Sequence, residues 1–277
     1  MQSVRHYLLA VQFFTRIPVT GRLADWVGYS PAMLRASSAH FPGVGWLVAA
    51  VAAGVYAALH FGLGTQQSTA FAPLVAAVFC TIATVLVTGG FHEDGLSDVT
   101  DGLGGSYDRE RALDIMKDSR IGAFGAMALV LVLLAKVSLL ALLGAHSLSA
   151  ALSALLGGHV LSRFWPLCLV RTLPHVGDTA KSKSKPLADQ ISNLALAAAG
   201  LWCFMPLALV WRAQTALFLI VAIGLSALGA AHMARRFVQR LQGFTGDCLG
   251  AVQQVSEVGF YLGAALALGP LAGVLTW

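Results

Sequence analysis

The chain has 277 residues, 57% hydrophobic and only 11% charged, with a mean hydropathy of +0.74. So few polar side chains could not cover a soluble globule of this length, so the composition excludes one and makes the bilayer the solvent. A net charge of +5 and a pI near 9.2 call for nothing beyond membrane orientation, and no nucleic-acid partner is expected.

The first stretch from Tyr7 to Phe14 contains Gln12 and runs into Arg16 without a small-residue cleavage pattern, so it reads as retained rather than as a signal peptide. Val4, Tyr7, Leu8, Val11 and Phe14 recur at helical spacing and predict an amphipathic helix along the membrane interface, in contact with lipid. Seven apolar runs follow, each near the ~20 residues that cross a bilayer. They are Pro42 to Phe61, Thr69 to Thr88, Ile121 to Leu143, Leu148 to Val170, Ile191 to Trp211, Thr215 to Ala231 and Gly250 to Leu275. Lipid forbids unpaired backbone groups, and no alternating polar pattern of a β-barrel is present, so these predict an all-α polytopic bundle forming one membrane domain over residues 1–277. Cys80, Cys168, Cys203 and Cys248 are scattered, without ligand-like spacing, and read as structural thiols.

Threading seven spans puts 15 of the 18 Lys and Arg on one side, and the positive-inside rule makes that side, with the amino terminus, cytoplasmic. The exceptions are Arg212 on the opposite side and Lys136 and Arg163 inside spans. Lys181, Lys183 and Lys185 read as a basic loop near anionic lipid. Topology does not explain the acids: eight of the thirteen fall within His92 to Arg120.

In that segment Asp94, Asp98 and Asp101 stand at i, i+4 and i+7, so on a helix three carboxylates share a face and repel unless a cation intervenes. Asp114 and Asp118 repeat the i, i+4 spacing on an expected second helix after a Gly-rich bend, Gly102 to Gly105. Asp108, Arg109, Glu110 and Arg111 read as a solvated run. Carboxylates without cysteine favour a hard ion, Mg²⁺ with Mn²⁺ as the alternative, and such ions carry phosphates. The expected metal set is Asp94, Asp98, Asp101 and Asp118. D-x-x-D-G followed by D-x-x-x-D is partly similar to the CDP-alcohol phosphotransferases, although the spacing here is short.

The longer pattern Gly89 to Leu103, GGFHEDGLSDVTDGL, with Leu113 to Gly125, LDIMKDSRIGAFG, resembles the cobalamin synthase family. Phe13 to Val19 (FFTRIPV), Phe41 to Gly45 (FPGVG) and Gly243 to Gln254 (GFTGDCLGAVQQ) extend the resemblance along most of the chain. It implies an adenosylcobinamide-GDP ribazoletransferase of the bacterial inner membrane that uses Mg²⁺. Such an enzyme joins adenosylcobinamide-GDP to α-ribazole or its 5′-phosphate and releases GMP.

On that reading a ribazole hydroxyl attacks the corrinoid-side phosphorus, the aspartates hold the ion, and an aspartate or His92 is the general base. Arg120 and Lys117 are candidates for a positive clamp, and Arg16, within FFTRIPV, is a further substrate-binding candidate. Charges inside spans are costly and face protein, which adds a stripe of Asp247, Gln254 and Glu257, with Arg163 placed to pair with Glu257 or phosphate. Lys136 reads as snorkelling at the outer face. The rival class is a small-solute transporter, whose essential charges would be the intramembrane ones. There is no G-x-x-x-x-G-K-[ST] loop, so guanine recognition has no sequence marker.

Overall fold

The structure, a computed structural model, describes residues 1–64, 70–177 and 191–269. Lys181, Lys183, Lys185 and the outer ends of the second and seventh apolar runs lie outside them. The helices in chain order are α1 (Gln2–Phe14), α2 (Arg22–Val27), α3 (Pro31–Ser37), α4 (Phe41–Leu63), α5 (Ala72–Thr88), α6 (Phe91–Gly105), α7 (Arg109–Met116), α8 (Ala123–His146), α9 (Leu148–Leu161), α10 (Trp165–Thr172), α11 (Asn193–Ala213), α12 (Ala216–Arg240) and α13 (Gly246–Leu268). Among the described residues there is no β-strand, only a single bridge between His175 and Phe244.

Helix starts follow local chemistry. Ser147, Ser192 and Thr215 each accept a hydrogen bond from a backbone N–H one turn on, at the heads of α9, α11 and α12. Asp108 does the same for α7, so this member of the expected solvated run is a cap. By length and apolar composition, five segments can cross a membrane: 31–63, α8, the α9–α10 segment, α11 and α12. α5 and α6 pass the same test only when taken together, and the 89° bend between them turns α6 away from the line of α5. The seventh predicted run is α13, a 23-residue helix made more polar by Gln253, Gln254, Ser256 and Glu257, all of them buried. Outward-facing Leu86, Leu131, Leu201 and Phe204 are exposed, as a lipid-facing exterior requires.

α13 is the central helix and packs against α6, α8, α9, α10 and α12. Its polar side chains close on one another. Glu257 pairs with Lys136 of α8 (3.0 Å) and accepts from Tyr261 (3.0 Å) and Gln253, with His159 at 3.3 Å. Lys136 also donates to Gln254 (3.1 Å) and is 2% exposed. The expected snorkelling Lys136 is therefore overturned. α8 runs on to His146, which places this ammonium well inside the bundle, where only a carboxylate can offset its desolvation. The expected Arg163–Glu257 pair is also replaced: Arg163 donates to the His159 carbonyl (2.7 Å) and lies 5.7 Å over the Phe41 ring. α1 packs onto the bundle through Leu9, Ala10, Val11 and Phe14, and Tyr7 stacks on Trp202. Its apolar face is thus turned to protein, with Val4 left exposed.

Lys136→Met would leave Glu257 a buried charge without a cation and should cost about 3–5 kcal/mol, whereas Lys136→Met/Glu257→Gln should recover most of that loss. Thermal unfolding in detergent checks both; equal loss in the single and double variants would refute the pairing.

Candidate active site

At Thr88 the chain leaves α5 through Gly89 and Gly90, both at φ +70°, a left-handed turn that other residues resist. The turn sends α6 back across the end of the bundle. There Gly95 meets α13 so closely that a methyl group on it would stand 2.7 Å from the Asp247 carbonyl oxygen. α6 also runs through Gly105 and turns at Ser106, so the expected bend over Gly102 to Gly105 is helix instead. Gly102 is needed there as flat surface for Ala112 and Met116 of α7.

Between α1, the Gly89–Gly90 turn, α6 and the start of α13 opens a cleft of about 1030 Å³. Arg16, Glu93, Asp94, Asp98, Ser119 and Asp247 line it. Burial pushes the Asp98 carboxyl up to about 7, and the charges of Asp247, Asp94 and Asp101 add to that rise. Burial, followed by the charge of Asp94, also raises Asp247. Asp247, assigned from sequence to a stripe with Gln254 and Glu257, thus faces the α6 aspartates instead. Gln254 and Glu257 lie deeper, in the buried network, with Arg163.

The expected four-aspartate metal set separates. Asp101 turns to α8, accepting N–H bonds from Gly122 (2.7 Å) and Gly125 (2.8 Å). Both its oxygens are engaged at a helix N-terminus, where a carboxylate is stabilised by the unpaired amides and the helix dipole. Asp118 lies beyond the end of α7 and forms an ion pair with Arg120 (2.6 Å), which holds its carboxyl down at about 2. Asp114 pairs with Lys117 at 3.7 Å. The acids of the second helix therefore do not face Asp94 and Asp98, because α7 buries Ala112, Leu113 and Met116 and turns its charges to solvent. Arg120 and Lys117 are thereby occupied by neighbours, and neither lines the cleft. His92 is buried on the other side of α6 between Phe41 and Phe91, in a small apolar pocket, with its pKa well below the ordinary value through burial. It does not line the acidic cleft.

Among the described residues no three Asp, Glu, His or Cys side chains converge on one point to hold a metal ion. The chemistry of the cleft nonetheless fits Mg²⁺: its donors are carboxylates that destabilise one another, and the ion needs only one or two of them, since phosphate and water complete its octahedron. Glu93 is the cleft residue that sequence reasoning missed. It falls outside the i, i+4, i+7 stripe, and its only sequence signal is its place in GGFHEDG.

The family described as "Cobalamin-5-phosphate synthase" matches residues 6–265 of this chain. An adenosylcobinamide-GDP ribazoletransferase of Polaromonas naphthalenivorans (strain CJ2) is 62% identical, covering 97% of this chain and all of the relative. Proteins of the same name from Leptothrix cholodnii and Shewanella halifaxensis are 46% and 42% identical, covering 95% and 92% of this chain and 96% and 93% of themselves. No solved structure matches it.

Because the folded-state pKa of Asp98 is raised, its contribution to stability is full below about 4 and is lost as pH rises through about 7. In metal-free protein the unfolding midpoint should fall over that window, and Asp98→Asn should flatten the fall and raise Tm at pH 8 by about 2–4 °C. An unaltered pH profile in Asp98→Asn would refute the crowding.

Proposed function

The chain belongs to the cobalamin-5-phosphate synthase family, and we propose that it is an adenosylcobinamide-GDP ribazoletransferase working at the cleft between α6 and α13. The observation that carries this reading is the meeting of Asp94 and Asp98 on α6 with Asp247 on α13, beside Arg16. Three acids lining one cleft and repelling one another disfavour the free protein and favour a cation with its phosphate ligand.

The substrates are adenosylcobinamide-GDP and α-ribazole or its 5′-phosphate. A ribazole hydroxyl attacks the corrinoid-side phosphorus, a new P–O bond forms, and the bond to GMP breaks. Mg²⁺, with Mn²⁺ as a substitute, would be held by one or two of the cleft carboxylates Asp94, Asp98 and Asp247 and would supply charge neutralisation at the pyrophosphate. A cleft aspartate not engaged by the ion is placed to take the hydroxyl proton, whereas His92 lies outside the cleft. Arg16 lies over Gly89 so closely that any side chain there would displace it, and its exposed guanidinium beside the α6 N-terminus suits a phosphate. Asp101 keeps the role of bracing α8, and Asp118 that of pairing with Arg120. The one-sided distribution of Lys and Arg supports placing the cleft at the cytoplasmic face of an inner membrane, against lipid.

Purified protein in detergent or nanodiscs should release GMP from adenosylcobinamide-GDP only with α-ribazole and Mg²⁺ present, and no CMP from a CDP-linked lipid precursor. Asp94→Asn and Asp247→Asn should each lower kcat about 100-fold or more. Arg16→Ala should raise the KM for the GDP donor about tenfold, the worth of one charged hydrogen bond. Full GMP release by Asp94→Asn and Asp247→Asn would overturn the assignment.

A further inference from the structure

The acidic cleft and the buried charges of the bundle are joined by one side-chain path. Glu93 lines the cleft, yet its carboxylate turns inward: Oε1 accepts from Gln254 Nε2 at 3.0 Å, and Oε2 is buried. Gln254 accepts in turn from Lys136 at 3.1 Å, and Lys136 pairs with Glu257 at 3.0 Å. Gln254 is 2% exposed and its amide also donates to Gln253 (2.9 Å), so it cannot swing away without leaving buried polar groups unpaired. The path thus runs from α6 through α13 to α8 and back to α13.

Its position gives it a use. Glu93 immediately precedes Asp94 and stands five residues before Asp98, on the helix that supplies two of the three cleft aspartates. Gln254 stands seven residues after Asp247, two turns along the helix that supplies the third. A hydrogen bond between Glu93 and Gln254 therefore fixes how far α6 is rotated and slid against α13, and with it the spacing between the two sets of carboxylates. Apolar packing at Gly95 sets how close the helices come, but a flat glycine contact does not set register. The polar bond does, because it is directional and Gln254, held also by Lys136 and Gln253, cannot follow a displaced α6.

We propose that Glu93 and Gln254, anchored by the Lys136–Glu257 pair, are positioning residues that set the divalent-cation affinity of the cleft by holding α6 in register with α13. This rests on the reading of the cleft as a Mg²⁺ site for phosphoryl transfer. Both residues act through Asp94, Asp98 and Asp247, and neither touches the ion. Positioning residues of this kind change metal affinity about 10–100-fold when removed.

The test is Mn²⁺ binding, read from the loss of the free-ion signal in electron paramagnetic resonance, on full-length protein in nanodiscs without corrinoid or ribazole. Gln254→Met keeps the side-chain volume and leaves Lys136 paired with Glu257, and Glu93→Leu removes the acceptor. Each should weaken Mn²⁺ binding about tenfold, and Glu93→Leu/Gln254→Met should be no weaker than either alone, because one bond is lost in all three. Glu93→Gln, which retains an acceptor oxygen, should bind within about threefold of the parent. Additive losses, or unchanged affinity in variants that keep the parental Tm, would overturn the proposal. Where Gln254→Met does not fold, Glu93→Leu against Glu93→Gln carries the same decision. A parent that binds Mn²⁺ with this pattern and releases no GMP would leave the register intact and sink the functional reading. A parent that binds no Mn²⁺ would overturn the register proposal itself.

Discussion

A carboxylate fully withdrawn from water inside a membrane bundle must find a cation or lose its charge, and Glu257 finds Lys136. That pair ties α8 to α13. Gln253 and Gln254 extend it sideways to Ser162 on the α9 side and to Glu93 on α6, so the polar residues of one central helix fasten three neighbours in register. In lipid this matters more than in water. Apolar surfaces lose little by sliding over one another when the surroundings are equally apolar, so directional bonds and close small-residue contacts must fix the arrangement.

The apolar runs were readable because a bilayer imposes one length on every crossing, and the Asp94, Asp98, Asp101 stripe was readable because a helix imposes one period. Neither rule says what the far side of a helix meets. Asp101 belongs to the stripe by period, yet the α8 N-terminus offers it two amide hydrogens, and it is spent on them. Asp247 lies 149 positions from Asp98 in sequence and joins it only because Gly95 lets α6 settle against α13. Lys136 sits deeper than a span ending at Leu143 implies, because α8 continues to His146. The failures therefore share a cause: periodicity assigns a face, and only packing assigns its partner.

The division between the two groups of charge also bears on what the chain does. A carrier's intramembrane charges must meet solute and so must be reachable in turn from each side. Here Lys136 and Glu257 are 1–3% exposed, and each is held by further hydrogen bonds, so these charges meet one another. The charges left in tension are at the mouth, where Asp98 is held half-buried among like charges. Tension of that sort weakens the empty protein and is relieved by a bound cation, and a site that stores it is a site that expects a ligand. The buried network is the reason the tension can persist: with α6 fastened through Glu93, Asp94 and Asp98 cannot relax away from Asp247 by rotating their helix.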